Sequence, residues 1–282
     1  LVVWLCNFLK SKDISYSILT RGYKTGKGKL SDEPAILAKS CPGAKVIINA
    51  DRVAGAARAI EEFRPAVLVM DDGFQHRRLI RDLDILAVDC TCPFGYGRVL
   101  PGGLLREPVS SIKRAQAAIL TRCDRLDEDG LADIENHLRA VNGKIVIART
   151  THSPIAARGI GNMRLELDEI CGKKVFTFCG IGNPGAFGAT VAQLKPDLVG
   201  SKLYNDHHNY TERDINDVYE QAKYLGAELI LTTQKDWTKT ALLAGSKDDM
   251  AFAYLQVEIK FDSGEDELRR LIEKVLEGRI GG

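Results

Sequence analysis

The 282 residues predict an α/β protein built on a parallel sheet, and three observations carry that expectation. Apolar runs at Ile14 to Thr20, Val46 to Ile48, Ala66 to Met70, Ile85 to Val88, Ala117 to Leu120 and Ile145 to Ile147 read as strands buried on both faces. Stretches of helical periodicity separate several of them, the alternation that lays helices over a parallel sheet. Apolar residues make up 45% of the chain and charged residues 27%, enough for roughly two cores of ordinary size.

From the amino end, Leu1, Trp4, Leu5, Phe8 and Leu9 recur at helical spacing. The chain opens inside this run without a methionine, so a segment upstream is expected. After the strand ending at Thr20, a polar loop rich in Gly and Lys continues through Lys29. "SDEPAILA" then opens a short helix, with Ser31 or Asp32 as its cap and Pro34 in its first turn. Asp51 to Phe63 and Asp124 to Val141 are predicted helices, the second stopping before Asn142-Gly143.

The stretch "TTHSPIAARGIGNMR", residues 150–164, breaks the rhythm and reads as a connection. It divides the chain into a core domain, 1–157, and a smaller α/β domain, 158–282. In the second, strands are predicted at Val175 to Cys179, Leu198 to Tyr204 and Leu229 to Thr233. The helix over Glu212 to Leu225 has Thr211 and Asp214 as a capping pair and Gly226 as its stop. The last helix, Asp266 to Glu277, gathers Leu268, Leu271, Ile272, Val275 and Leu276 on one face.

Charge and cysteine usage narrow the function classes. With 39 basic and 38 acidic residues the formal charge is +1, so no overall field marks a nucleic-acid binder and no such partner is expected. Seven cysteines without a CxxC pair predict reduced, mostly buried thiols of a cytosolic protein. No apolar run reaches the roughly 18 residues needed to cross a bilayer.

Chemistry is first suggested by "VMDDGFQHRR", where Asp71 and Asp72 follow an apolar run and precede Gly73. In open α/β sheets, ligands sit beyond the carboxyl ends of the strands. Two carboxylates there repel unless a cation or strong donor lies between them, so a magnesium site is one reading. A turn in which one acid accepts backbone amides is the other. No G-x-x-x-x-G-K-[ST] occurs in the chain; "GYKTGKGK" has the wrong spacing and reads as a basic loop.

"SDEPAILA", "MDDGFQHRRLIRDLDILAVD", "GRVLPGGLLREP", "CGIGNPGAF", "NDHHNY" and "TTQKDWTK" occur in this order, and together they resemble the tetraacyldisaccharide 4'-kinase family along nearly the whole chain. The resemblance implies a P-loop NTPase-like core and an enzyme that moves the γ-phosphate of ATP, with Mg2+, onto the 4'-hydroxyl of a lipid A disaccharide 1-phosphate precursor. It also implies peripheral attachment to the cytoplasmic face of the inner membrane of a Gram-negative-type bacterium. The P-loop and the membrane-associating helix are expected upstream of Leu1, so these residues alone would bind nucleotide poorly.

On that resemblance Asp32 and His207 form a catalytic dyad, Asp71 and Asp72 hold the metal, and Arg21, Tyr23, Gln75, His76 and Lys235 serve the nucleotide. The residues alone read more blandly. Asp32 is then a helix cap, and Tyr23 is as readily packing as site. Arg77, Arg78 and Arg81 either meet an anionic head group or form a solvated face. Of the adjacent His207 and His208, one is expected to be functional and one structural, with Asp206 holding the ring in one tautomer. Lys235 reaches the nucleotide or pairs with Asp236. Gly102, Gly103, Arg106 and Glu107 lie in a matching loop without assigned chemistry. Two other readings remain: a dinucleotide enzyme built on Gly180, Gly182, Gly185 and Asp206, and a catalytically silent fold.

Overall fold

Nineteen helices and strands follow one another along the computed structural model, which describes residues 1–22, 32–244 and 250–280, with side chains at all of these except 32, 33, 279 and 280. In chain order they are α1 (Val2–Ser11), β1 (Tyr16–Thr20), α2 (Asp32–Ser40), β2 (Lys45–Ile48), α3 (Arg52–Phe63), β3 (Val67–Met70), β4 (Ile85–Asp89), β5 (Ala117–Thr121), α4 (Glu128–Val141) and β6 (Val146–Gly159). Then come β7 (Arg164–Leu165), β8 (Lys174–Cys179), α5 (Pro184–Gln193), β9 (Asp197–Leu203), α6 (Glu212–Tyr224), β10 (Leu229–Thr233), α7 (Gln234–Ala244), β11 (Ala251–Ser263) and α8 (Glu265–Ile280). They fall into two compact units. One takes Leu1–Lys24, Leu37–His152 and Ile259–Gly282, and the other Thr25–Ile36 and Ser153–Glu258.

In the first unit β1 lies between β2 and β3, all parallel, with Ile18 opposite both Val46 and Val69. A second parallel ladder runs β4, β5, β6, with Leu86 opposite Ala118 and Ala118 opposite Ile147. Ile18, Ala117, Ala118 and Leu120 are wholly buried, which explains the continuous apolar runs. Helix α1 joins the two ladders: Leu5 packs on the cluster around Ile18 and Val69 and on the cluster around Ala117 and Ile119. Leu276 of α8 does the same.

In the second unit the parallel order is β9, β8, β10, β11, with Val175 opposite Leu198 and Leu229, and Leu229 opposite Ala251. Phe176, Phe178, Ile215, Ile230, Trp237 and Phe252 form its largest core. Helix α6 enters through the expected capping box: Thr211 Oγ1 accepts from the Asp214 amide at 3.2 Å, and Asp214 Oδ2 accepts from the Thr211 amide at 2.8 Å. Thr211→Ala is expected to cost about 1 kcal/mol, read as a lower urea midpoint with an unchanged slope.

Residues 150–164, expected to form a connection, instead continue β6 without a break to Gly159 and then turn into β7. Ser153-Pro154 carried the turn signal. Pro154 lies between the register with β5, which ends at Arg149, and the register with β7, which begins at Ala157, so neither ladder needs its missing amide hydrogen. Five of the seven cysteines are buried thiols, as the spacing predicted.

Candidate active site

Asp71 stands one residue past the carboxyl end of β3, and its amide donates to Leu19 O at 2.9 Å, extending the pairing with β1. That places its carboxylate beside the end of β1, where Thr20 Oγ1 donates to Oδ2 at 3.5 Å. Burial, and next the charge of Asp72, push the Asp71 carboxyl up, while Arg52 pulls it down. The two acids are not equivalent. Asp72 has φ +48, which turns the chain, and its exposed carboxylate pairs with Arg106 at 2.7 Å. Gly73 is needed because a β-carbon there would lie 2.4 Å from Met70 Sδ.

Arg52 is the functional candidate that the sequence reading missed. It is 2% exposed, donates through Nη1 to Asn49 O at 2.6 Å and through Nη2 to Asp71 O at 3.5 Å, and its Nε finds no partner among the described residues. A signal was present: Arg52 occupies the first position of α3, where the helix dipole disfavours a cation. Burial first, then Arg52 and Arg21, depress the His76 imidazole, so the two guanidinium groups and this ring share one neighbourhood. Gln75 is exposed.

A further arginine holds the loop after the acids. Arg81 pairs with Asp84 at 2.5 Å and donates to the carbonyls of His76 at 2.6 Å, Leu79 at 3.2 Å and Phe74 at 3.3 Å. Arg81 therefore staples its own loop, which corrects the head-group reading for that residue. Arg78 is exposed and 3.9 Å from Asp51. The "GGLLREP" loop, left without chemistry, supplies Arg106 to Asp72. Its Glu107 pairs with Arg114 at 2.8 Å, whose guanidinium lies 4.3 Å from the Phe74 ring centre.

The second unit gathers a separate group at the ends of β8, β9 and β10. Asp206 Oδ1 accepts from Lys235 Nζ at 2.9 Å and from the His207 amide at 2.9 Å. Lys235 Nζ is also 3.5 Å from His207 Nε2. Asp206 lies 3.8 Å from His207 Nε2 and so fixes that residue through its backbone, not by a ring hydrogen bond. Lys235 thus pairs with Asp206, while its neighbour Asp236 is buried. The acid that a dinucleotide site would set on a ribose is thus ion-paired. The His208 ring stacks on Tyr204 at 4.6 Å and its Nε2 is 3.3 Å from Asp214.

Of the predicted site residues, then, Arg21, Asp71, Asp72, Gln75 and His76 lie in the first unit, and His207 and Lys235 come together in the second. Asp32 is the first residue of α2, its side chain outside the described set, and Tyr23 lies outside the described residues. Among the described residues no three His, Cys, Asp or Glu side chains cluster around a common point. Among the described residues, a cation at Asp71 would find the Asp71 carboxylate, the Thr20 hydroxyl and the adjacent Asp72 carboxylate, which is paired with Arg106. That hard-oxygen set suits magnesium, which takes one or two carboxylates and completes its shell with water and phosphate.

Parallel strands flanked by helices, with ionisable groups gathered past their carboxyl ends, form an α/β fold of the P-loop NTPase-like class. The family model for tetraacyldisaccharide-1-P 4'-kinase matches residues 1–277, and the chain belongs to that family, whose members are kinases. Proteins named tetraacyldisaccharide 4'-kinase from Anaeromyxobacter sp. (strain Fw109-5) and Syntrophus aciditrophicus are 34% and 33% identical, over 89% and 92% of this chain and 67% and 76% of their own lengths. The one from Geobacter metallireducens is 37% identical over 74% of this chain and 59% of its length. A crystal structure of the "apo" form of LpxK from Aquifex aeolicus in complex with ATP superposes with a TM-score of 0.70 at 28% identity, covering 98% of this chain and 82% of that one.

Proposed function

We propose that this protein transfers the γ-phosphate of ATP to the 4'-hydroxyl of a tetraacylated glucosamine disaccharide 1-phosphate, a lipid A precursor, while bound peripherally at the cytoplasmic face of the inner membrane. Family membership supports the reaction, and the ATP in the Aquifex structure supports the donor. The observation in this chain that carries the reading is Asp71, a half-buried carboxylate raised by burial and by an adjacent acid at a strand's carboxyl end. Such a group gains most from a cation beside it.

In this reading the first unit contributes Asp71 and Asp72 to a magnesium ion, which would offset the charge on the nucleotide's phosphates. Arg21, Gln75 and His76, with Tyr23, contact nucleotide phosphate. The second unit contributes proton handling and charge: Asp32 accepts the proton of the attacking hydroxyl, His207 tunes it, and Lys235 meets nucleotide phosphate. Among the described residues no helix is long and apolar enough to cross a membrane, which is compatible with peripheral attachment.

The test is an assay of full-length protein with radiolabelled ATP, magnesium and the disaccharide 1-phosphate. A labelled 4'-phosphate is expected, and its absence in folded protein sinks the reading.

A further inference from the structure

Beneath the His207 and Lys235 group lies a second carboxylate that the reaction scheme does not use. Asp236 is completely buried in the first turn of α7. Its Oδ2 accepts from the Gly180 amide at 3.1 Å and from Thr233 Oγ1 at 2.7 Å, and its Oδ1 accepts from Tyr210 Oη at 3.0 Å. Tyr210 is itself 91% buried, and burial with the Asp236 charge pushes its phenol up, so it remains a donor throughout the neutral range. Gly180 fits so closely that a β-carbon there would lie 2.8 Å from Tyr210 Oη and 3.3 Å from Asp236 Oδ1.

Two short paths lead from this carboxylate to His207. In one, the Gly180 amide is held by Asp236 while the Gly180 carbonyl accepts from the His207 amide at 3.2 Å. In the other, Lys235, adjacent in sequence to Asp236, holds Asp206, whose carboxylate also accepts from the His207 amide. His207 is kept at φ +59, a left-handed conformation uncommon for residues other than glycine. Burying a carboxylate is costly, and a well-packed apolar residue often serves stability as well or better. An acceptor-only group with several lone pairs can, however, fix an amide and two hydroxyls at once.

We infer that Asp236 and Tyr210 are positioning residues for phosphoryl transfer, holding His207 in register through the Gly180 backbone and the Asp206 carboxylate. This rests on the reading that His207 takes part in the reaction. Tyr210→Phe keeps the ring, which packs edge-on to Phe178 and Tyr204, and removes only the hydroxyl.

The experiment measures turnover of full-length protein as Tyr210→Phe, Asp236→Asn, His207→Ala and the Tyr210→Phe/His207→Ala double variant, each with its melting curve. Tyr210→Phe is expected to lower kcat about 10- to 100-fold with both KM values within about twofold, the scale of a displaced catalytic group. In the His207→Ala background the same change is expected to have almost no further effect, because its route to the reaction is gone. Asp236→Asn should follow the same pattern more strongly; should it fail to fold, the Tyr210 cycle decides alone. If His207→Ala is slow while Tyr210→Phe turns over normally, or if the two losses multiply, the positioning role is wrong and the function stands. If His207→Ala itself turns over normally, the histidine's role falls and the positioning role with it.

Discussion

Asp71→Asn is expected to cut turnover by about 10²- to 10³-fold, the scale of losing one preorganised charge interaction in a transition state, and yet to raise the melting temperature at neutral pH. Both effects come from the same placement. The Asp71 carboxyl is raised first by burial and then by Asp72, with Arg52 opposing. A carboxyl raised on folding binds its proton more tightly in the folded chain than in the unfolded one. Stability therefore falls as pH climbs from the ordinary carboxylate value to the raised one, and the whole penalty is present at every higher pH. Asparagine has no charge to bury and removes it. The stabilisation of Asp71→Asn over the parent should accordingly be full near pH 7 and vanish below about pH 3.5, where the carboxyl is protonated in both states. Melting curves at both pH values and a magnesium titration of kcat check this. Normal turnover would remove Asp71 from the cation site, and a lower melting temperature at pH 7 would mean that its carboxylate is better paired than Thr20 and Arg52 make it.

The contrast between Asp71 and Asp72 marks how far the sequence could be read. The strand ending at Met70 was legible because its residues are apolar on both faces, and the acids beyond it followed from where ligands sit in such sheets. Their division of labour was not. Whether the first or the second acid turns inward depends on φ at Asp72 and on the distant Arg106, and spacing within ten residues carries neither. Asp206 shows the same limit. Its sequence separation from Gly180 suits a dinucleotide site, and only the position of Lys235 reveals that the carboxylate is taken. Strand β11 (Ala251–Ser263) was unread although "QVEIKFD" in its second half alternates as a half-exposed strand does; its length exceeds that of an ordinary strand. The exception is Arg52, where a cation at a helix N-terminus contradicts local preference. Conflicts of that kind are where a fold yields to its site.

Asp32 and His207, both in the second unit, are expected to behave as one device. Each alanine substitution alone should lower kcat by about 10²- to 10⁴-fold with modest change in either KM, because proton transfer from the attacking hydroxyl matters in the transition state and little in binding. If the histidine acts only by tuning the aspartate, removing both should cost no more than removing the worse one. Independent roles would instead multiply the two losses, and the double variant would fall to the level of the reaction without a base. Lys235 makes the cycle more discriminating. Its Nζ lies 3.5 Å from His207 Nε2 and 2.9 Å from Asp206 Oδ1, so His207→Ala leaves the lysine anchored and should spare nucleotide affinity. A His207→Ala variant that loses MgATP binding as steeply as kcat would place the histidine on the phosphates and leave Asp32 to act alone.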